Sequence, residues 1–97
     1  MRVYIVVGHT GEYEDRYEWN AFAFTSLEKA ESKMKEGNDL LAELLGKCER
    51  TSYRSYMSDE IDKALEYMQN NFDKRCSVDY TGSYYTVDKL DVEVENE

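Results

Sequence analysis

This chain of 97 residues has no proline, five glycines, two cysteines and a single histidine. Cys48 and Cys76 are too few for a disulfide framework and lack a metal-binding spacing, so we expect reduced thiols in a reducing compartment. The apolar run within residues 1–8 is too short for a signal peptide or a membrane span. These absences predict a single cytoplasmic domain over residues 1–97 that does not enter a membrane.

Recognisable catalytic motifs are also absent from the sequence. His9 is the only histidine, no serine stands in a Gly-x-Ser-x-Gly turn, and no zinc or calcium motif occurs. Residues 8–11 place two glycines after a strand, but the acids of residues 12–15 follow them, which is the wrong charge for binding phosphate. We therefore predict a non-enzymatic protein with no cofactor and no metal, in which His9 is an incidental, exposed loop residue.

Basic residues are fewer than acidic ones, 12 against 21, which gives a net charge of −9. Such a surface disfavours direct binding to nucleic acid, where Lys and Arg must replace the counterions of the phosphates, and it is repelled by anionic membranes. Residues 58–97 hold eleven acids and four bases, whereas residues 1–57 hold ten and eight. The charge therefore fits a basic protein as the partner, and the alternative is an acidic surface that serves only solubility.

Hydrophobic periodicity divides the chain into five elements. Runs of β-branched and aromatic residues predict strands, and apolar residues spaced three and four apart predict helices. The predicted strands lie near residues 2–7, 17–24 and 84–93, with a loop over 8–16, and the predicted helices lie near 26–48 and 58–72. The order ββααβ predicts an α+β domain: a three-stranded antiparallel sheet of strand order 2-1-3, with two helices on one face.

Local signals mark the ends and faces of the two helices. Thr25 and Glu28 form a capping box at the start of the first helix, and Ser58 caps the second. Gly37 and Asn38 predict a bend or break, because glycine in a helix interior costs about 1 kcal/mol relative to alanine. The predicted apolar stripes are Leu27, Ala30, Met34, Leu41, Leu44, Leu45 and Cys48 in the first helix, and Ile61, Ala64, Leu65, Met68 and Phe72 in the second.

In the second strand, simple alternation separates the large aromatic residues. It puts Trp19, with Ala21 and Ala23, on the side opposite to Phe22 and Phe24. We therefore expect Trp19 and Phe22 to face different sides of the sheet.

The third strand has a conflict of parity, since Tyr85 and Val87 share one face whereas Leu90 and Val92 share the other. A slip of one residue reverses every side chain of a strand. A bulge or bend near residues 88–89 is predicted, because it would bring both pairs to the core.

The end of the third strand carries alternating acids, Asp91, Glu93 and Glu95. Alternate side chains of a strand lie about 6.6–6.8 Å apart on one face, close to the spacing of phosphates along an extended nucleic-acid strand. Together with Asp79 and Asp88, these residues predict a surface that mimics nucleic acid toward a basic partner. The alternative is a solvated strand face that frays into an acidic tail.

Nine tyrosines are more than a small core requires. Tyrosine buries a large area while keeping a polar tip, which suits binding surfaces. Tyr53 and Tyr56 lie between the predicted helices, and Tyr80 and Tyr84 flank the last turn, so we predict these four as partner contacts. The alternative, which we prefer for Tyr4, is that tyrosines line strand faces because of their strand propensity.

A family resemblance lies in the first third of the chain, mainly over residues 3–30. The residues that carry it precede the capped helix and are Val3-Tyr4-Ile5-Val6-Val7-Gly8, Thr10-Gly11-Glu12-Tyr13, Asp15-Arg16, Trp19 and Ala21-Phe22. The chain resembles small bacteriophage and prophage proteins of the ββααβ kind. The resemblance implies an inhibitor of host defence, with anti-CRISPR proteins among the examples, that acts in the host cytoplasm.

These observations lead to one leading hypothesis and two alternatives. The leading hypothesis is a phage-type inhibitor whose acidic C-terminal half occupies the basic channel of a host nucleic-acid-handling protein, such as a CRISPR effector. The first alternative is a small interaction module that assembles through its own sheet edge, which leaves a homodimer open. The second alternative is an enzyme or small-ligand protein that acts through the loop at residues 8–16.

Overall fold

A computed structural model describes residues 1–11, 16–46, 58–78 and 82–92 of the chain. The elements in chain order are β1 (Arg2–Thr10), β2 (Tyr17–Phe24), α1 (Leu27–Gly46), α2 (Ser58–Asn71) and β3 (Ser83–Asp91). The central strand β1 pairs antiparallel with both neighbours, so the order of strands in the sheet is β2-β1-β3. The α+β class, the order of the elements and the sheet topology predicted from the sequence are confirmed.

β1 extends through residues 8–10, which the sequence indicated as a loop. His9 stands in the sheet between β2 and β3, so its prediction as a loop residue is wrong. Glycine is a typical turn signal, which is why the sequence indicated a loop here. Gly8 instead lets the indole of Trp19 lie against the strand, since a Cβ at this position would overlap the ring.

A β-bulge in β2 changes which side chains reach the core. The register of β2 against β1 shifts between Val6 and Val7, which leaves Ala21 as the extra residue of the bulge. One inserted residue reverses the face of everything beyond it. Trp19 and Phe22 therefore both pack into the core, and the prediction that they face different sides is wrong.

β3 pairs with β1 without interruption over Ser83–Asp91, so the bulge predicted near residues 88–89 is also wrong. Tyr85 and Val87 face the helices and pack into the core. Leu90 lies on the opposite face of the sheet, where it is 49% exposed. The conflict of parity needed no bulge, because exposed apolar side chains are common on protein surfaces.

α1 runs unbroken through Gly37, contrary to the predicted bend or break. A Cβ on this residue would lie 2.7 Å from the ring of Tyr85 and 2.9 Å from the ring of Phe72, so the glycine allows close approach of helix and sheet. Asn38 donates its amide N–H to the Tyr85 carbonyl at 3.0 Å and accepts the Tyr85 N–H at 2.7 Å. The Asn38 side chain thereby pairs with the outer edge of β3 as a neighbouring strand would.

The cap of α1 lies one residue later than predicted. Ser26, not Thr25, caps the helix, because its hydroxyl accepts a 3.4 Å hydrogen bond from the N–H of Lys29. Leu27, predicted as part of the apolar stripe, is 44% exposed. The buried stripe therefore begins at Ala30.

The core lies between the sheet and the helices. α1 crosses all three strands, and α2 packs against α1. The buried cluster contains Val6, Trp19, Ala30, Leu41, Leu45, Ile61, Ala64, Met68, Cys76, Val78 and Tyr85. Because strand side chains alternate, the sheet face opposite the helices, here named the open face, bears Ile5, His9, Tyr84, Thr86, Asp88 and Leu90.

Candidate functional site

The structure describes three of the nine residues predicted to contact a partner: Asp88, Asp91 and Tyr84. The other six lie outside the described residues and are Tyr53, Tyr56, Asp79, Tyr80, Glu93 and Glu95. Asp88 and Asp91 are both exposed near the end of β3, but they project to opposite faces because they are three residues apart. Of the alternating row Asp91, Glu93 and Glu95, the structure describes only Asp91, so the row stays a prediction.

Asp91 already has a cationic partner on the neighbouring strand. Its Oδ1 lies 2.9 Å from Nε of Arg2. This hydrogen bond lowers the pKa of Asp91 and raises the pKa of Arg2. Both side chains are mostly exposed, so the pair contributes little to stability, but it compensates the negative charge of Asp91.

Most of the acidic charge of the described elements lies on the helices. α1 and α2 carry nine acidic and four basic residues, a net charge of −5. The three strands carry three acidic and two basic residues, a net charge of −1. The exposed carboxylates of the two helices, here named the acidic helix surface, are Glu28, Glu31, Glu36, Asp39, Glu43, Asp62 and Glu66.

Lysine partners compensate two carboxylates of the acidic helix surface. Lys33 lies 3.7 Å from Glu36, and Lys35 lies 2.7 Å from Asp39, whose hydrogen bond raises the pKa of Lys35. The carboxylates that form no ion pair with another described residue are Glu28, Glu31, Asp62 and Glu66. The sequence reasoning did not select these residues, although their positions on the polar sides of two amphipathic helices are the signal that identifies them.

Two exposed tyrosines accompany these surfaces. Tyr67 projects from α2 beside Glu66 and is 44% exposed. Tyr84 on the open face is 54% exposed and stacks on His9, with ring centroids 4.7 Å apart. Of these two, the sequence reasoning selected only Tyr84.

The open face brings His9 between a carboxylate and a hydroxyl. Nδ1 of His9 lies 3.2 Å from Oε1 of Glu18, and Nε2 lies 2.7 Å from Oγ1 of Thr86. The order carboxylate, imidazole and hydroxyl is the one that nucleophilic catalysis uses. Thr86 is 77 residues from His9 along the chain, so no sequence motif could have indicated this row.

The same row lacks a feature that acyl transfer requires. A developing oxyanion is stabilised by N–H donors that converge on one point. Thr86 pairs with Val7 in the uninterrupted ladder between β1 and β3, and the N–H groups of a ladder lie in the plane of the sheet rather than above its face. Among the described residues, the side chains of Glu18, His9 and Thr86 therefore form the proton-transfer part of a catalytic arrangement, but the backbone around Thr86 forms no oxyanion hole.

A buried carboxylate connects the segment after α2 to the sheet. Asp73 is only 3% exposed, and its Oδ2 accepts hydrogen bonds from Nε1 of Trp19 at 2.7 Å and the hydroxyl of Tyr85 at 2.9 Å. Its Oδ1 accepts the N–H of Arg75 at 3.0 Å. No sequence motif indicates this network, because Trp19 lies 54 residues from Asp73 along the chain.

Cys76 lies beside this network and carries a free, buried thiol. Burial raises the pKa of this thiol to about 11. Burial likewise raises the pKa of Tyr85. A thiol that keeps its proton at neutral pH is a poor nucleophile, and Cys48 lies outside the described residues.

Within the described ranges, no group of three or more His, Cys, Asp and Glu side chains is placed to hold a metal ion. Neither described helix is long and apolar enough to cross a membrane. Comparison with protein-family models, curated proteins and solved structures gives no match to this chain. The resemblance to phage proteins therefore stays a prediction.

Proposed function

We propose that this chain is a binding protein that uses its acidic helix surface to engage a basic, nucleic-acid-handling protein. The supporting observation is the net charge of −5 on α1 and α2, against −1 on the three strands. The proposal keeps the expected type of partner but moves the contact surface from the end of β3 to the helices. In this function the protein performs no chemistry and acts by occupying its partner.

The spacing of the carboxylates supports mimicry of a phosphate backbone. Residues three or four apart on a helix are separated by about 4.5–6 Å along its axis. Glu28 and Glu31 have this relation on α1, and Asp62 and Glu66 have it on α2. Exposed charges of one sign steer a basic partner during diffusion, so the surface would act mainly on the association rate.

Tyr67 supports a contact that persists after encounter. It follows Glu66 in α2 and is exposed, so a partner attracted to this helix by the carboxylates can reach it. Exposed tyrosines are frequent hot spots because they bury a large area at low entropic cost. The narrower function of a phage inhibitor directed at a CRISPR effector rests on the sequence resemblance alone.

Two variants with equal changes of net charge test this function. One variant neutralises the helix carboxylates with Glu28→Gln, Glu31→Gln, Asp62→Asn and Glu66→Gln. The other neutralises the C-terminal row with Asp88→Asn, Asp91→Asn, Glu93→Gln and Glu95→Gln. A partner is captured from a bacterial lysate with the wild-type protein, identified by mass spectrometry, and its binding kinetics are measured with each variant.

The expected result is an association rate that falls about tenfold or more for the helix variant and much less for the C-terminal variant. Binding should weaken as the NaCl concentration rises from about 50 to 500 mM, because salt screens exposed charges. Excess DNA or RNA should displace the protein from its partner. The reverse order of the variants would return the contact to the end of β3. Salt-independent binding that neither variant changes would refute electrostatic mimicry. Circular dichroism establishes that both variants are folded.

The row formed by Glu18, His9 and Thr86 favours a second candidate function, a hydrolytic or small-ligand site on the open face. In this candidate, His9 accepts the proton of the Thr86 hydroxyl while Glu18 orients the imidazole. Hydrolysis of an activated ester such as p-nitrophenyl acetate, compared among wild type, His9→Ala and Thr86→Val, tests it. Turnover that both substitutions abolish would favour the enzyme, whereas equal background rates would leave the binding function.

The two edges of the sheet differ in how firmly their backbone groups are already bonded, which decides where another strand could pair. At β3, Asn38 occupies the backbone groups of Tyr85. At β2, the contact that the described residues make with the Asn20 carbonyl is a 3.5 Å hydrogen bond from the exposed Arg75 side chain. An added strand would therefore be accommodated at β2.

A further inference from the structure

A groove of about 550 Å³ lies along β2, an edge strand of the sheet. It is formed by residues 20–23 of β2, by Ile5 and by residues 72–75, which follow α2. Pockets of about 300–1,000 Å³ are typical of ligand sites. Phe22 and Phe72 line the groove and pack edge to face, with ring centroids 5.3 Å apart. The groove therefore combines an apolar wall with the backbone of an edge strand.

The charge at this groove is opposite to that of the whole molecule. Lys74 and Arg75 line it and are exposed, although the chain has a net charge of −9. Lys33 adds a third cation, whose ammonium group lies 4.8 Å from the Phe22 ring centre and 3.7 Å from Glu36. Asp73 also lines the groove, but its carboxylate is buried and bonded to Trp19 and Tyr85, so the exposed charged side chains of the lining are the two cations.

The backbone of β2 is suited to pairing with an extended chain. β2 is an edge strand, so part of its N–H and C=O groups point away from β1 into the groove. The carbonyl of Asn20 is one of these groups, because Arg75 Nη1 reaches it at 3.5 Å. A bond of this length from an exposed side chain is weak, so an incoming N–H can replace it while Arg75 turns to a carboxylate.

We propose that the groove beside β2 binds an extended, acidic segment of a partner protein, which pairs with β2 as an additional strand. Main-chain hydrogen bonds to the edge provide affinity in this mode, and side-chain contacts provide specificity. Lys74 and Arg75 select Asp or Glu in the segment, and the Phe22–Phe72 wall takes an apolar side chain. This groove is distinct from the acidic helix surface. The groove selects acidic ligands, whereas the helix surface selects basic ones.

Selection from a display library of random decapeptides on the full-length protein tests the proposal. The expected consensus alternates acidic and apolar residues. Binding of a selected, fluorescently labelled peptide is then measured by anisotropy with Lys74→Ala/Arg75→Ala and with the matched control Lys29→Ala/Lys63→Ala. Both double variants remove two exposed lysine or arginine charges. We expect the dissociation constant to rise about tenfold or more in the groove variant and to change little in the control.

Backbone amide shifts locate the bound peptide. The expected changes concentrate on Asn20, Ala21 and Ala23. A library that yields only basic peptides, whose binding is lost with the helix carboxylates, would support the proposed function and overturn this inference. Acidic peptides that bind the groove variant as well as wild type would also overturn it. So would tight binding of a decathymidine oligonucleotide that requires Lys74 and Arg75, because the groove would then be a nucleic-acid site.

Discussion

At the residue scale, the buried carboxylate of Asp73 joins the segment after α2 to side chains of two strands. It joins the indole of Trp19 and the phenol of Tyr85, whose rings meet edge to face with centroids 6.0 Å apart. Burial of a polar group is tolerated when hydrogen bonds replace those of water. The loop that follows α2, and with it the groove rim, is thereby fixed to the sheet.

Replacing Asp73 with Ala should destabilise the protein strongly. The substitution leaves the buried donors of Trp19 and Tyr85 without an acceptor, and each unsatisfied group costs about 1–3 kcal/mol, so a total of about 2–6 kcal/mol is expected. Urea unfolding followed by circular dichroism measures the loss. Asp62→Ala, on the exposed side of α2, is the matched control and should change the free energy of unfolding by less than about 0.5 kcal/mol. Equal values for the two variants would contradict a structural role of Asp73.

The buried thiol of Cys76 should make stability fall at alkaline pH. Its pKa of about 11 in the folded protein lies above the ordinary value of 9.0, so the unfolded chain loses the proton first. This contribution is complete below about pH 9 and is lost as the pH rises toward 11. The free energy of unfolding of wild type should therefore decline more steeply over this range than that of Cys76→Ala. Parallel pH profiles would show that the thiol is not buried in this way.

Iodoacetamide labelling gives an independent measurement on the same residue. The thiolate is the reactive form, so Cys76 should be alkylated slowly in the native protein near pH 8 and rapidly in urea, without prior reduction. Peptide mass spectrometry distinguishes Cys76 from Cys48. Rapid labelling of native Cys76 would contradict its burial.

At the scale of the elements, contacts between helix and sheet decide details that local propensity misjudges. Gly37 and Asn38 disfavour a helix by propensity, yet α1 continues through both, because the first allows close packing and the second pairs with the β3 edge. The bulge in β2 likewise sends Trp19 to the core against simple alternation. Periodicity predicted the elements correctly, but not the contacts between them.

Gly37→Ala should destabilise the protein, although the same change in an exposed helix interior would stabilise it by about 1 kcal/mol. The added Cβ meets the rings of Tyr85 and Phe72 at 2.7 and 2.9 Å, and overpacking of this kind costs about 1–3 kcal/mol. Thermal and urea unfolding measure the change. Ser32→Ala, at an exposed position of the same helix, is the control. A stabilised Gly37→Ala variant would show that α1 and the sheet are not in close contact here.

At the scale of the whole molecule, charge is distributed over surfaces with different roles. Acidic residues dominate the outer sides of α1 and α2, whereas Lys74 and Arg75 form a basic rim beside β2. The total of −9 hides this division, because a net charge contains no positions. Two ligands of opposite charge can therefore be accommodated on one small domain.

Salt should stabilise this protein. Repulsion among like charges opposes the compact state, and ions screen it over about 10 Å at 0.1 M ionic strength. The free energy of unfolding should therefore rise between about 10 and 300 mM NaCl, and it should rise less for the variant with four neutralised helix carboxylates. Equal salt responses of the two proteins would mean that repulsion within the acidic helix surface does not destabilise the folded state.

The sequence by itself determined the elements and their order, because hydrophobic periodicity depends on neighbouring residues. It also determined the sheet topology, which was predicted from that order, and the sign of the net charge, which depends on composition alone. The tertiary structure alone decided the register of β2, the surroundings of His9 and the partners of Asp73. These features join residues as far apart as His9 and Thr86, which are separated by 77 positions. A single bulge reverses the faces of a strand, so such contacts depend on how the strands align in space, which no local pattern specifies.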